Sequence, residues 1–168
     1  MFRRIIRTFT KKAKLTFDSK TILVVVDMQP CFEAAKCNKT ASAVLALIDK
    51  AKKANSLIVI LEYNLHGPTR TDITDSIRSY ANHKIAGKDT DGGGKEVEQF
   101  INGHNRAILC GVNYGACVFH TASELKKIID VRVVKNACNQ PSYWSYNMDD
   151  YTKKYIEEVG KDCVIQYA

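Results

Sequence analysis

Cys117 is the residue of this sequence whose type and setting are best suited to chemistry. It follows a glycine-containing turn, residues 111–115, and it precedes apolar residues at helical spacing, namely Val118, Ala122, Leu125 and Ile129. The first turn of a helix has unpaired backbone N–H groups and the positive end of the helix dipole, and both favour a thiolate. Many free cysteines are only small buried apolar residues. We predict instead that Cys117 is a nucleophile whose pKa is lowered.

The elements around Cys117 alternate between strand-like and helix-like periods. Buried strands are predicted over residues 21–26, 57–61, 83–86, 107–110, 132–135 and 163–166. Helices are predicted over residues 38–55, 73–80, 95–102, 117–129 and 148–159. This alternation favours a mainly parallel sheet with helices on both faces. The sequence therefore predicts an α/β fold with three α/β/α layers and a Rossmann-like sheet of about six strands.

Three stretches whose residues could take part in catalysis or ligand binding follow the ends of predicted strands. Asp27 comes directly after the first strand, a glycine-rich loop at residues 87–94 follows the third, and Cys117 follows the fourth. Ligands bind beyond the carboxyl ends of the strands in parallel sheets. An aspartate at a strand end is often only a turn residue, so the case for Asp27 depends on Cys117. We expect these stretches to meet at one edge of the sheet.

Length and composition indicate one ordinary globular domain. The chain has 168 residues, of which 45% are hydrophobic and 26% are charged. It contains neither a membrane-length apolar run nor a secretory signal, so we predict a cytoplasmic protein with reduced cysteines. The six cysteines form no Cys-x-x-Cys pair, and the sequence contains neither a Walker motif nor a Gly-x-Gly-x-x-Gly motif. We therefore expect no metal and no nucleotide or other cofactor.

The positive charge is concentrated at the N-terminus. Residues 1–20 contain seven basic residues and one acidic residue, which accounts for +6 of the net charge of +7. The remainder is nearly neutral, which argues against nucleic-acid binding. Three interpretations of this basic amphipathic segment stay open: a solvated arm, a weak contact with a membrane surface, and an organelle-targeting peptide. We predict an arm over residues 1–20 and a globular domain over residues 21–168.

Three pieces of sequence together resemble the isochorismatase-like cysteine hydrolases, a family that includes nicotinamidases and N-carbamoyl amidohydrolases. They are Asp27-Met28-Gln29 after an apolar strand, a lysine after the weak third strand, and the stretch Cys110-Gly111-Val112-Asn113-Tyr114-Gly115-Ala116-Cys117-Val118. Each piece is a modest signal alone, whereas their order and separation are fairly specific. The resemblance runs from about Thr21 to Asn139, and it identifies residues 21–168 as an isochorismatase-like hydrolase domain.

The resemblance implies an Asp-Lys-Cys triad that cleaves a C–N bond of a small amide or ureide through a thioester. Asp27 matches the acid of the family and Cys117 matches its nucleophile. The lysine is either Lys84 or Lys88, and we prefer Lys88 because it lies beyond the strand and beside the glycine-rich loop. In this chemistry Asp27 accepts the thiol proton and returns it to the leaving amine.

The same resemblance implies further roles around the nucleophile. The backbone amides of Ala116 and Cys117 would form the oxyanion hole, and the peptide between Val112 and Asn113 would be cis. The predicted substrate pocket consists of Gln29 from the first piece and of loop aromatics, namely Phe32, Tyr114, Tyr143 and Trp144. The chain is short for the family, so the site is either open or completed by a second subunit of a homo-oligomer.

The sequence departs from nicotinamidases where that subfamily has a metal site built from an Asp and several His residues. Residues 62–68 contain a single histidine, His66. We therefore predict no metal, and we rank nicotinamide low among small-molecule substrates. His120 is expected on a solvated helix face rather than as a base for Cys117. Two other functions stay open: an idle or regulatory member of the fold tethered by its basic arm, and a thiol sensor with Cys138 as resolving cysteine.

Overall fold

The fold is built on one sheet of six parallel strands in the order β3-β2-β1-β4-β5-β6. The computed structural model describes residues 15–166. The strands are β1 (Thr21–Val26), β2 (Leu57–Tyr63), β3 (His83–Lys88), β4 (Arg106–Val112), β5 (Asp130–Asn139) and β6 (Val164–Ile165).

Helices cover both faces of this sheet. They are α1 (Asn38–Lys53), α2 (Thr71–Ile77), α3 (Gly94–Glu98), α4 (Phe119–Leu125) and α5 (Met148–Glu158). A short 3-10 helix occupies Glu33–Lys36, and a π-helical turn occupies Tyr114–Val118 immediately before α4. The buried residues of α1 and α2 pack on one face, and those of α3, α4 and α5 pack on the other. The predicted three-layer α/β/α fold with a parallel sheet is confirmed.

The central strand β1 is apolar because both of its faces are covered. All six residues of β1 are buried. Successive side chains of a strand point to opposite faces. Accordingly Val24 contributes to the core under α4 and α5, whereas Leu23 and Val25 contribute to the core under α1.

Strands β1 and β4 lie side by side where the strand order reverses, which is where open α/β sheets bind their ligands. Gly111 permits their close approach at this point. Its φ is +113°, and a Cβ atom there would lie 2.1 Å from the carbonyl oxygen of Val26. Only glycine combines that backbone conformation with that contact. The residues that follow β1 and β4 are therefore held next to each other.

Several element boundaries differ from the predicted ones. Strand β3 continues to Lys88, because Gly87 and Lys88 pair with the end of β2. Helix α3 ends at Glu98, earlier than predicted, and β6 is limited to Val164–Ile165. These are short elements whose extent depends on neighbouring elements rather than on local periodicity.

The segment before β1 already packs on the domain, so the predicted boundary at residue 20 is too late. Leu15 and Phe17 pack against the core cluster under α1, and the Ser56 hydroxyl donates a hydrogen bond of 2.6 Å to the carbonyl of Asp18. The basic residues that suggested a membrane or targeting role fall mostly in residues 1–14, which lie outside the described residues. Within residues 15–166, no helix is long and apolar enough to cross a membrane.

Candidate active site

Asp27 lies at the carboxyl end of β1 and points into the interior. Its φ is +48°, and its amide donates a hydrogen bond of 3.0 Å to the carbonyl of Leu61 at the end of β2. The residue is 1% exposed, and its Oδ2 lies 2.9 Å from Nζ of Lys88. Neither carboxylate oxygen has a well-directed hydrogen bond from the described residues, so ionic attraction is its main compensation for burial.

Lys88 is a buried cation with oxygen atoms close to its ammonium group. Besides the ion pair with Asp27, its Nζ donates hydrogen bonds to the carbonyl oxygens of Thr90 at 2.9 Å and Asp91 at 3.2 Å. The same Nζ lies 4.2 Å from the ring centre of Tyr63, a favourable position for a cation. These contacts hold the ammonium beside Asp27.

The two candidate lysines lie near opposite ends of β3: Lys84 is near its start, and Lys88 is at its carboxyl end. Lys84 is exposed, whereas Lys88 is 1% exposed and forms the ion pair with Asp27. The structure thus brings Lys88 to the predicted site and leaves Lys84 outside it.

Cys117 lies in the π-helical turn after β4 and is 5% exposed. Burial, together with the adjacent Asp27 carboxylate, raises the pKa of the Cys117 thiol to about 12. The ammonium of Lys88 acts in the opposite direction, but it does not prevail. The prediction of a lowered pKa is therefore wrong, because desolvation and negative charge outweigh the cation. At neutral pH the Cys117 side chain is a neutral thiol.

The Asp27 carboxylate contacts this thiol and has a shifted pKa as well. Burial raises the pKa of Asp27, and this effect is only partly offset by the charge of Lys88 and by its contact with Cys117. Asp27 and Cys117 therefore both hold a proton more tightly than such groups do in water. A base of raised pKa receives a proton from a weakly acidic thiol with a smaller energetic penalty than an ordinary carboxylate would.

The turn that carries Cys117 begins with a cis peptide bond between Val112 and Asn113. The carbonyl of Asn113 accepts hydrogen bonds from the Ala116 amide at 3.0 Å and from the Val118 amide at 3.1 Å. The Ala116 amide is therefore already engaged within the turn. This contact does not fit its predicted use in the oxyanion hole, and of the predicted pair only the Cys117 amide is left for that role.

Two of the predicted pocket residues face the interior instead. The side chain of Gln29 is fully buried, where its Nε2 donates to two backbone carbonyls and its Oε1 accepts a hydrogen bond of 2.7 Å from the Tyr63 amide. Tyr114 is also fully buried, with its hydroxyl 3.0 Å from that of Thr152 and its ring 4.7 Å from that of Tyr155. In these positions Gln29 braces the end of β2 and Tyr114 anchors the π-helical turn on α5, and contact of either residue with substrate stays a prediction.

Phe32 lies at the same edge of the sheet as the ion pair. Its ring is half-buried and packs 6.5 Å from the ring of Tyr63, which in turn faces Lys88. Phe32 thus belongs to the aromatic rim beside the predicted triad.

Trp144 is more remote from Cys117. It is half-buried and packs 6.2 Å from Tyr151 of α5, while the neighbouring Tyr143 is 75% exposed. The Tyr151 ring fills the space where a Cβ on Gly115 would lie, at 2.3 Å. Tyr151 thus links Trp144 to the turn of Cys117.

The residues after β2 do not fit the metal site that the resemblance to nicotinamidases would imply. His66 is exposed and packs 5.1 Å from the ring of Phe32, while Glu62 accepts a hydrogen bond of 2.7 Å from the Thr69 amide. Across residues 15–166, no group of three or more His, Cys, Asp or Glu side chains is placed to hold a metal ion.

Sequence reasoning missed two residues of the site. The ring of Tyr63 lies under the ammonium of Lys88, and the carboxylate Oδ1 of Asp91 lies 3.9 Å from Cys117 Sγ. The signal for Asp91 was its position in the glycine-rich loop that follows β3. The sequence indicated that this loop reaches the edge, but not which of its side chains contacts Cys117.

Both the sequence and the fold resemble those of known proteins. A family model described as "Isochorismatase domain" matches residues 21–156. No curated protein matches the sequence. Among solved structures, the nicotinamidase SaPncA of Staphylococcus aureus has a TM-score of 0.70 at 14% identity, covering 88% of this chain and 99% of that chain.

Two further solved structures are similar in fold. The N-carbamoylsarcosine amidase of Thermoplasma acidophilum has a TM-score of 0.66 at 21% identity, covering 88% of this chain and 96% of that chain. The MAR1 ribonuclease of Caenorhabditis elegans has a TM-score of 0.74 at 18% identity, covering 91% of this chain and 79% of that chain. At such identities the likeness extends to the fold alone.

Proposed function

The chain belongs to the isochorismatase family, and from this premise we propose that it is a cysteine hydrolase that cleaves a C–N bond of a small amide or ureide. One observation carries the proposal: Cys117, Asp27 and Lys88 come from the ends of three different strands and meet in a buried cluster. The names of two similar structures, a nicotinamidase and an N-carbamoylsarcosine amidase, support the same class of bond.

The first half of the reaction forms a thioester. Asp27 takes the thiol proton of Cys117 as Sγ attacks the carbonyl carbon of the substrate. The backbone amide of Cys117 stabilises the negative charge that develops on the carbonyl oxygen. Asp27 then gives the proton to the nitrogen, the C–N bond breaks, and the amine or ammonia leaves.

The second half releases the acid. Asp27, again a carboxylate, takes a proton from water, and the resulting hydroxide attacks the thioester carbonyl. The C–S bond breaks and the proton returns to the sulfur of Cys117. Lys88 keeps Asp27 ionised between these steps, because an adjacent cation stabilises the charged carboxylate that burial disfavours.

Trapping of the acyl-enzyme tests this proposal. A panel of small amides and ureides is incubated with the protein and hydroxylamine, and the formation of hydroxamate is measured beside the release of amine. We expect hydroxamate at the expense of free acid for each substrate, with an acyl adduct at Cys117 in quenched samples by mass spectrometry. Turnover without hydroxamate or adduct would contradict a thioester pathway, and absence of turnover across the panel would favour an idle member of the family.

The pH dependence of kcat/KM is a second expected result. Burial raises the pKa of Asp27, so this carboxylate becomes protonated at a higher pH than an ordinary one. The fall of kcat/KM at acid pH should therefore have its midpoint above about pH 4. Because the pKa of Cys117 is about 12, activity should not rise with a midpoint near pH 8.5, as it would for an ordinary thiolate nucleophile. Initial rates between pH 4 and pH 10 decide between the two profiles.

A further inference from the structure

The Asp91 side chain is an exposed carboxylate in contact with the nucleophile. Its Oδ1 lies 3.9 Å from Cys117 Sγ, and its backbone carbonyl accepts a hydrogen bond of 3.2 Å from Nζ of Lys88. The loop that carries Asp91 is therefore held by the same ammonium that pairs with Asp27. This arrangement fixes one carboxylate on the inner side of the thiol and a second carboxylate on its solvent side.

The charges of this cluster do not cancel. Asp27 and Lys88 neutralise each other within the buried pair, and Cys117 is a neutral thiol at ordinary pH. Among the ion pairs of residues 15–166, none involves Asp91. A molecule that approaches the thiol from solvent therefore meets one uncompensated negative charge beside the reacting sulfur. Charges that line the entrance to a site attract ions of opposite sign and repel ions of the same sign.

We propose that Asp91 determines substrate specificity by binding a cationic group of the substrate, so that the preferred substrates are small amides or ureides bearing an amine near the scissile carbonyl. That the substrate is an amide or ureide rests on the proposed function. The preference for cationic over anionic molecules at Cys117 depends only on the neighbouring Asp91. Anionic amides are disfavoured for the same reason.

The spacing of the two groups allows a short spacer between that amine and the carbonyl. A carbonyl carbon poised for attack is about 3.3 Å from the sulfur. An ammonium nitrogen in a charged hydrogen bond is about 2.8 Å from a carboxylate oxygen. With Sγ and Oδ1 only 3.9 Å apart, a substrate with one carbon between the amine and the carbonyl can make both contacts, and longer spacers can do so as well. The simplest substrates to test are therefore α-amino amides, followed by those with one further carbon.

Charged thiol reagents test this inference without any substrate. We would compare a methanethiosulfonate carrying an ethylammonium group with one carrying an ethylsulfonate group, both of which form a disulfide with the cysteine and release methanesulfinate. Mass spectrometry assigns the rate to Cys117, and the exposed Cys31 serves as an internal reference. The quantity of interest is the ratio of cationic to anionic rate at Cys117, in wild type, Asp91→Asn and Asp89→Asn.

Asp89→Asn is the matched control, since it removes the same charge from the same loop, at a carboxylate that instead accepts a hydrogen bond of 2.8 Å from Asn64. We expect the ratio at Cys117 to favour the cation in wild type and to fall roughly tenfold in Asp91→Asn at low salt. The ratio should change about twofold or less in Asp89→Asn, and the ratio at Cys31 should not change.

An unchanged ratio in Asp91→Asn, an equal change in Asp89→Asn, or failure of both reagents to reach Cys117 would overturn the inference. A thermal unfolding midpoint for each variant confirms that the folded proteins are being compared. The ratio of the turnover of glycinamide, which carries an ammonium group, to that of neutral propionamide provides a second readout. This ratio should fall in Asp91→Asn. If no compound of the amide and ureide panel is hydrolysed but the reagent ratio shifts as expected, the proposed function fails and the charge selection stands.

Discussion

Substitution of Cys117 by alanine is expected to reduce hydrolysis by a factor of about 10³ or more, to the level of any residual uncatalysed rate. The reason is that the thioester cannot form without the sulfur, and the described residues of the site place no other nucleophile beside Asp27 and Lys88. Initial rates with the best substrate of the amide panel measure this effect. Cys117→Ser should be impaired to a similar degree, because a buried hydroxyl is harder to deprotonate than a thiol.

Stability separates this chemical effect from unfolding. Cys117 is 5% exposed and small, so its replacement by alanine should change the free energy of unfolding by about 1 kcal/mol or less. Cys31→Ser, at an exposed cysteine, is the matched control and should retain full activity. If Cys117→Ala were folded and retained more than about a tenth of the wild-type activity, nucleophilic catalysis by this residue would be disproved.

Lys88→Met is expected to have the largest effect on stability as well as abolishing activity. The substitution removes the cation that forms an ion pair with the buried Asp27 carboxylate, and breaking a buried pair from one side destabilises proteins by about 3 to 5 kcal/mol. Chemical denaturation at neutral pH measures the free energy of unfolding. Lys84→Met, at an exposed position of the same strand, should change it by less than about 0.5 kcal/mol.

The stability defect of Lys88→Met should depend on pH in a defined direction. The pKa of Asp27 is already raised by burial, and loss of the ammonium that opposes this shift raises it further. A carboxyl group whose folded pKa is raised favours the folded state below its unfolded value, and this contribution is lost as the pH rises through the folded pKa. The defect relative to wild type should therefore be largest at neutral pH and should shrink on acidification.

A double substitution completes this test. In Asp27→Asn/Lys88→Met no buried charge is left, so much of the lost stability should return although activity does not. Equal stability of Lys88→Met and wild type at neutral pH would show that the pair is not electrostatically coupled. Recovery of activity in the double variant would contradict the role of Asp27 as the base.

Periodicity in the sequence was enough to predict the layers and most of the strands, because alternating burial is a local property of each segment. Residues 22–26 are apolar because helices cover both faces of β1, and residues 148–159 were predicted as a helix that the structure places at Met148–Glu158. Asp27 and Cys117 follow strands β1 and β4, so the sequence predicted that they lie at one edge of a parallel sheet. In the structure these two strands are neighbours and the two side chains are in contact.

Tertiary structure decided the properties that depend on neighbours distant in sequence. The pairing of β3 with β2 extends β3 to Lys88 and places that lysine, at the carboxyl end of the strand, beside Asp27, while Lys84 is left near the start of the strand. The pKa of Cys117 is raised because burial and nearby carboxylates outweigh local helix effects.

The direction of single side chains in loops and turns is set in the same non-local way. Gln29 and Tyr114 turn inward because backbone and hydroxyl partners from β2 and α5 satisfy them there. Asp91 reaches the thiol because Lys88 holds its loop. A sequence indicates which residue types can perform chemistry and roughly where the fold places them. The burial and charge around each one exist only once separate strands are packed together.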